Sequence, residues 1–479
     1  MNMDEHEYNA LHGHVIVCNL NRQGRAFIAN LRRQDPQQPI VALLREAETQ
    51  HANFCEQQRV SLVSGDVRSA SSLREAGLAR AKAIIACSYS TATNLQTATA
   101  VRQILDERAD DAGQLNLYLA LSATALREGL ENASFRQLLH PDSRLNPYVY
   151  SEETLLARWY FNQYPPHSWA DRYGQQQVHL VLAGSSPLVE ALVCQYAKIS
   201  PYKAFAPPIF TLLGVDAEQQ QQVLVARYPA LANGLTGAEQ VIAGLYAVEC
   251  DEACQLPEGE LEGAAPVTAV LCCSHDDDWN ARCALRLRES LGGAAPFYVY
   301  EGHGSTDQVE DLDGLVPFGM PEQVFDLEQL AAVERNARAV HDAYRQQMQV
   351  ADPQAAATAE GLQPWEQLPE TYRAANRRAG DHMPVKLASI GYPLEAGKPL
   401  TPGDSIVLDE PPARRELLSR LEHRSWRYER LLNGWRYGAV RDNQQRLHPS
   451  IVLWEDLPES ERQKDVEQMK NVLRALQDA

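Results

Sequence analysis

The chain has 479 residues, 44% apolar and 22% charged, with a formal net charge of -19. Such a length is too great for one hydrophobic core and predicts about three domains, while the composition excludes a disordered chain. The acidic balance argues against a nucleic-acid backbone or an anionic membrane face as the main partner.

Other whole-chain features point the same way. No apolar run approaches the roughly 20 residues that span a bilayer, and the stretch Met1 to Glu7 is acidic where an export signal is basic. The nine cysteines include Cys18, Cys87, Cys272 and Cys273 in apolar, strand-like runs. Reduced, buried thiols and a cytoplasmic protein without direct membrane insertion are the expectation.

The first domain is expected over residues 1–170. His14 to Cys18 is an apolar run, followed by Asn19-Leu20-Asn21-Arg22-Gln23-Gly24 and then by Ala26, Phe27, Ala29 and Leu31 at helical spacing. Further apolar runs, Ile40 to Leu44 and Val60 to Val63, alternate with helical segments. Alternation of this kind predicts a parallel sheet whose ligand crevice lies at the carboxyl ends of the strands. Asn19 and Asn21 stand where a dinucleotide loop has its first two glycines, and Gly24 keeps the third. Asparagine tolerates positive φ, so the turn itself can survive. After the second run comes Arg45, suited to an extra phosphate, and Glu46 lies slightly late for a ribose-binding acid.

Ser64-Gly65-Asp66, Leu73 to Gly77, Ala83 to Cys87 and Asn94 follow. With the opening strand, they resemble the nucleotide-binding TrkA-N or RCK domain of potassium uptake regulators, from residue 13 to residue 125. The resemblance implies that Gly65 and Asp66 meet the adenosine part of a ligand. It also implies that a helix near Glu152 to Tyr160 helps to pair two lobes.

A second copy is expected over residues 171–334. Cys87-Ser88 and Asn94 return as Cys273-Ser274 and Asn280, both displaced by 186 positions, and His14 returns as His179. Gly184 keeps the first loop glycine, Asp216 ends the second strand where a ribose acid belongs, and Asp251 corresponds to Asp66. His275-Asp276-Asp277-Asp278 is either a hard-metal cluster or the cap of the next helix. Cys250, Cys254, Cys272 and Cys273 do not form a zinc spacing.

The third domain is expected over residues 335–479, where helical periodicity dominates. Trp365-Glu-Gln-Leu-Pro-Glu370 returns as Trp454-Glu-Asp-Leu-Pro-Glu459, each Pro-Glu pair opening a helix. Leu421 to Leu432 is amphipathic, Asn433-Gly434 stops it, and Trp435-Arg436-Tyr437-Gly438 follows. Glu422-His423, Trp426, Asn433 to Gly438, Arg441-Asp442, His448-Pro449 and Trp454 to Pro458 resemble the RyR domain, a mostly helical module associated with ligand binding. Asn376, Arg377, His382, Lys386, Trp426, Arg427, Trp435, Tyr437 and Arg441 would suit an anionic small molecule. Alternatively the tryptophans are core and the arginines pair with Glu422, Glu429 and Asp442.

The expected fold class is α/β: two tandem Rossmann-like, TrkA-N/RCK-type parallel-sheet domains followed by a mostly α-helical RyR domain. The expected nucleotide positions are Asn19, Asn21, Gly24, Arg45, Glu46, Gly65, Asp66 and Asn94, with Gly184 and Asp216 in the second copy. No catalytic constellation is evident, so a sensor or regulator binding NAD, ATP, ADP or an ADP-ribose-like molecule is expected, without enzymatic turnover. A regulatory subunit of a potassium channel or transporter and an NAD(P)-dependent oxidoreductase are the alternatives. A homo-oligomer or a membrane transporter is the expected protein partner.

Overall fold

The computed structural model describes residues 11–46, 49–107, 114–129, 132–251, 254–255, 265–291, 295–302, 314–392, 412–463, 465–466 and 469. Met1 to Glu7 lie outside them. Two compact units emerge, one comprising Met1–Leu155, Pro321–Glu334 and Met348–Ala374, the other Leu156–Met320, Arg335–Gln347 and Ala375–Ala479.

In the first unit, β1 (Val15–Cys18), β2 (Ile40–Leu44), β3 (Ser61–Ser64), β4 (Ala83–Ala86), β5 (Leu115–Ala120) and β6 (Leu145–Tyr150) form one parallel sheet in the order β3-β2-β1-β4-β5-β6. Val15 to Cys18, Ile40 to Leu44 and Ala83 to Ala86 are buried throughout, as continuous apolar strands covered on both faces must be. Helix α1 (Arg22–Gln34) follows β1, and α2 (Thr91–Asp106) follows β4. The segment from Glu322 to Asp326 docks on α1: Asn30 donates to the Glu322 and Phe325 carbonyls, and the Phe27 and Phe325 rings lie 5.5 Å apart.

The second unit repeats the plan. β7 (His179–Ala183), β8 (Ile209–Gly214), β9 (Gly244–Glu249), β10 (Ala269–Cys272), β11 (Phe297–Tyr300) and β12 (Leu315–Phe318) lie in the order β12-β11-β10-β7-β8-β9, which is the first topology read from the other edge. Helices α3 (Pro187–Ile199) and α4 (Asp277–Ser290) take the places of α1 and α2. Asp276 caps α4 by accepting from the Trp279 amide, which fulfils the capping expectation for that acidic run. Cys250, Cys254, Cys272 and Cys283 share one core cluster, in which thiol hydrogen bonds link Cys250 to Cys254, Cys254 to Cys283 and Cys283 to Cys272. All nine cysteines are buried and unbridged.

The internal repeat has a physical basis in one buried amide per copy. Asn94 accepts from the Ser88 amide at 2.9 Å and donates to the Ser88 and Ala120 carbonyls. Asn280 accepts from Ser274 at 2.7 Å and donates to Ser274 and Tyr300 in the same pattern. Each side chain ties the end of one strand to the end of the next, in place of solvent.

The C-terminal helices complete the second unit. Helices α5 (Glu370–Ser389) and α6 (Pro412–Leu432) share a core of Val340, Met383, Leu387, Leu418 and Met469, α5 contributing to this unit from residue 375. Gly434, at φ +77, ends α6, with Trp435 donating back to the Arg430 carbonyl. The two Trp-x-x-Leu-Pro-Glu segments each form a short 3-10 turn that buries its tryptophan and leucine, so a packing role accounts for the repeat. Among the described residues no helix is long and apolar enough to cross a membrane.

Replacing Asn94 or Asn280 by alanine strands buried backbone groups, each worth about 1–3 kcal/mol. Urea unfolding of Asn94→Ala and Asn280→Ala is therefore expected to show similar losses of about 2 kcal/mol or more. An unchanged midpoint in either variant would deny that clamp.

Candidate functional site

The crevice of the first sheet begins at the turn after β1. Asn19 adopts φ +92, a glycine-like conformation that its side chain tolerates. Asn21 caps α1 by accepting from the Gly24 amide at 3.0 Å, and its amide nitrogen donates to the Cys87 carbonyl at 2.6 Å. Gly24 is irreplaceable in shape, because an added Cβ would lie 2.2 Å from the Asn19 carbonyl oxygen. The loop thus keeps a dinucleotide-type close approach of helix to strand, while Asn21 occupies one amide of the helix start.

A cavity of about 390 Å³ opens at the carboxyl ends of these strands, lined by Asn19, Leu44, Arg45, Asp66, Val67, Arg68, Ser88, Tyr89, Ser90 and Thr93. Asp66 is its carboxylate. Arg68 donates to Asp66 through Nε, Nη2 and its backbone amide, at 2.9, 2.7 and 3.0 Å, and Arg45 Nη2 adds a fourth bond at 2.7 Å. The Arg68 bonds and then Arg45 hold the carboxyl well below the usual range. Gly65 stands where an added Cβ would collide with Ser72, so it lets the segment carrying Asp66 lie close. Glu46 is exposed and does not line the cavity. Asn94 is buried as the clamp described above, with its donors and acceptor engaged by the backbone.

A larger cavity of about 1000 Å³ lies away from the strand ends, with Leu95, Arg102, Phe135 and Asp142 among its walls. Its arginine is engaged by Asp142 and the Leu138 carbonyl, and it lacks the strand-end turn at which a sheet of this kind receives its ligand.

The second crevice differs in detail. Gly184 has φ +105, and an added Cβ would lie 2.6 Å from the Ser274 amide. Asp216 follows β8 as expected; its Oδ2 accepts from Ser185 Oγ at 3.0 Å, and its buried Oδ1 has no partner among the described residues. Asp251 accepts instead from the amide of Gln255.

In the helical region the predicted positions separate. Lys386 and Arg378 donate to Glu422 at 2.5 and 2.8 Å, and all three are largely buried. Burial pushes the Glu422 carboxyl up, but the charges of Arg378 and Lys386 outweigh it and hold it ionised. His382, pushed down to about 3 by burial, donates through Nε2 to the Pro201 carbonyl at 2.8 Å. Arg427 is buried against Tyr428 and donates to the Val452 carbonyl, Arg377 is buried, and Asn376 is half-buried.

Trp426 and Trp435 form the other group. The Arg430 guanidinium lies 5.8 and 5.2 Å from their rings, and His448 packs edge-on at 5.1 and 6.3 Å. Tyr437 and Arg441 are exposed beyond them. Arg68, Tyr89, Arg430 and His448 were not among the expected positions. The Asp-x-Arg spacing of Asp66 and Arg68 was the available signal for the first.

Two outcomes follow from the buried groups. Lys386→Ala leaves Glu422 short of a partner and is expected to cost about 3 kcal/mol in unfolding free energy, whereas a surface role would cost under 1 kcal/mol. His167, His382, His423 and His448 have folded pKa values of about 4, 3, 4 and 4, each lowered chiefly by burial from 6.5. The unfolded chain then binds more protons, so stability present above pH 6.5 is lost as pH falls toward 4. Urea midpoints at pH 7.5 and pH 5 check this; an equal or higher midpoint at pH 5 contradicts it.

A family model for the TrkA-N domain matches residues 15–125, and one for the RyR domain matches residues 406–479. Among solved structures, GsuK bound to ADP is similar at 15% identity over 67% of this chain and 69% of that one, with a TM-score of 0.41. The GsuK channel bound to NAD is similar at 12% identity over 74% and 66%, with a TM-score of 0.42. The NAD(P)-binding domain of an exopolyphosphatase-related protein from Archaeoglobus fulgidus is similar at 14% identity over 29% and 88%, with a TM-score of 0.22. This protein therefore carries a TrkA-N domain at residues 15–125 and a RyR domain at residues 406–479.

Proposed function

We propose that this protein is a cytoplasmic, nucleotide-responsive regulator in which a ligand is bound and not turned over. The observation that carries the reading is the first crevice: a glycine-like turn at Asn19, the close helix approach at Gly24, and a cavity at the strand ends. Tyr89, 75% exposed on the wall of that cavity, supplies a ring on which a base can stack. Asp66 is a poor general base, since two guanidinium groups hold it ionised far from neutral pH. Binding is thus favoured over proton-transfer chemistry. In the second crevice, Asp216 would receive ribose hydroxyls, with Gly184 giving room for the close approach.

The aromatic group of Trp426 and Trp435, with Tyr437 and Arg441 beyond it, is the ligand face we assign to the RyR domain. Arg377, His382, Lys386 and Arg427 act behind it as internal braces. A second reading, a regulatory subunit of a potassium channel or transporter, draws support from the TrkA-N match. Co-purification with a transporter would favour it.

Thermal-shift titration of the full chain with ADP and NAD tests the main reading, since a ligand that prefers the folded state raises the midpoint in proportion to the logarithm of its concentration. A saturable rise without product formation is expected, reduced in Tyr89→Ala or Asp216→Ala according to the crevice occupied. Trp435→Ala should affect only a ligand of the RyR domain. No shift with either nucleotide or their phosphorylated analogues would sink the reading.

A further inference from the structure

We infer that the first crevice selects an adenosine ligand bearing a phosphate on its ribose, as in the 2′-phosphorylated nicotinamide dinucleotides, over one with a free ribose diol. The inference rests on the nucleotide-binding reading of that crevice.

A free diol is held by a carboxylate with unused acceptor positions near the end of the second strand of such a sheet. Here the residue after β2 is Arg45, and Glu46 stands outside the cavity. Asp66 offers a carboxylate, but four N–H groups already point at its two oxygens, about the full number of acceptor sites that a carboxylate has. Little remains to accept from hydroxyls.

The arginines are in the opposite condition. A guanidinium has five donors, and Arg45, 65% exposed, gives Asp66 one of them in this arrangement. Arg68, 40% exposed, also borders an adjoining cavity of about 430 Å³ with Ser69, Gln96, Thr99 and Gln103. Two guanidinium groups and one carboxylate leave a local positive charge in a chain of net charge -19. A planar, charged fork matches a phosphate group better than a pair of hydroxyls.

The second copy serves as an internal control. Asp216 meets a serine hydroxyl at 3.0 Å instead of an arginine, whereas Asp66 already accepts from four N–H groups. The duplicated crevices therefore differ in the ligand they suit: a diol in the second, a ribose phosphate in the first.

Calorimetric titration of the full chain with NADP and NAD, and with adenosine 2′,5′-bisphosphate and ADP, tests the inference. The second pair has equal numbers of phosphates in different places, which separates the position of a phosphate from the number of phosphates. Preference for the 2′-phosphorylated member of each pair is expected to be about tenfold or more, the range of one charge-assisted hydrogen bond. Arg45→Ala should bring the ratio near one, Arg45→Asp should invert it, and Arg45→Lys should retain part of it. Because Arg45 is exposed, unfolding is not expected, and the thermal midpoint of the free variants checks that. Equal or reversed affinities in Asp216→Ala, where the second crevice has lost its ribose acceptor, would overturn the inference while leaving the nucleotide reading in place. Failure of all four ligands to bind would overturn both.

Discussion

The rest of each crevice depends on a single buried carboxamide. A parallel sheet leaves the backbone at the carboxyl end of its strands without ladder partners, and those groups must be satisfied before any ligand arrives. Asn94 and Asn280 do this by closing a local ring with the serine six residues before them and reaching to the next strand. The opening between strands is thereby fixed by the protein itself. With that opening fixed, the glycine-like turn at Asn19 leads into the cavity at the strand ends.

On this common frame the charges diverge. Both copies place an aspartate near a strand end, but Asp66 is surrounded by guanidinium donors while Asp216 keeps an unused oxygen. The same residue type is a counter-ion in one copy and an acceptor in the other. Neighbouring side chains, and not the fold, decide which.

Much of this was legible in the sequence because it is local or periodic. The strand runs, the 186-residue displacement of Cys-Ser and Asn, the helix stop at Gly434 and the position of Asp216 all depend on short-range pattern. What escaped was long-range pairing. Lys386 and His382 have the composition of an anion site, but Lys386 meets Glu422, 36 residues further on, and His382 meets the Pro201 carbonyl, 181 residues before it. No spacing rule announces such partners. Asn94 likewise reads as a nucleotide contact from its place after β4, and only the geometry reveals that its amide is already engaged. Arg68 was nearer to hand, two residues from Asp66, but its fork could equally have pointed to solvent.

The hydrogen bonds from Ser425 and Arg424 to the carbonyls of Lys198 and Phe205 bear on where this part of the chain can be cut. A segment recognisable as a separate family has been stitched by side chains into the backbone of a neighbouring lobe, and its acid Glu422 draws its countercharges from a helix outside the stretch that the family describes. Excising the recognisable segment along its family boundaries would sever ties that the boundaries do not record.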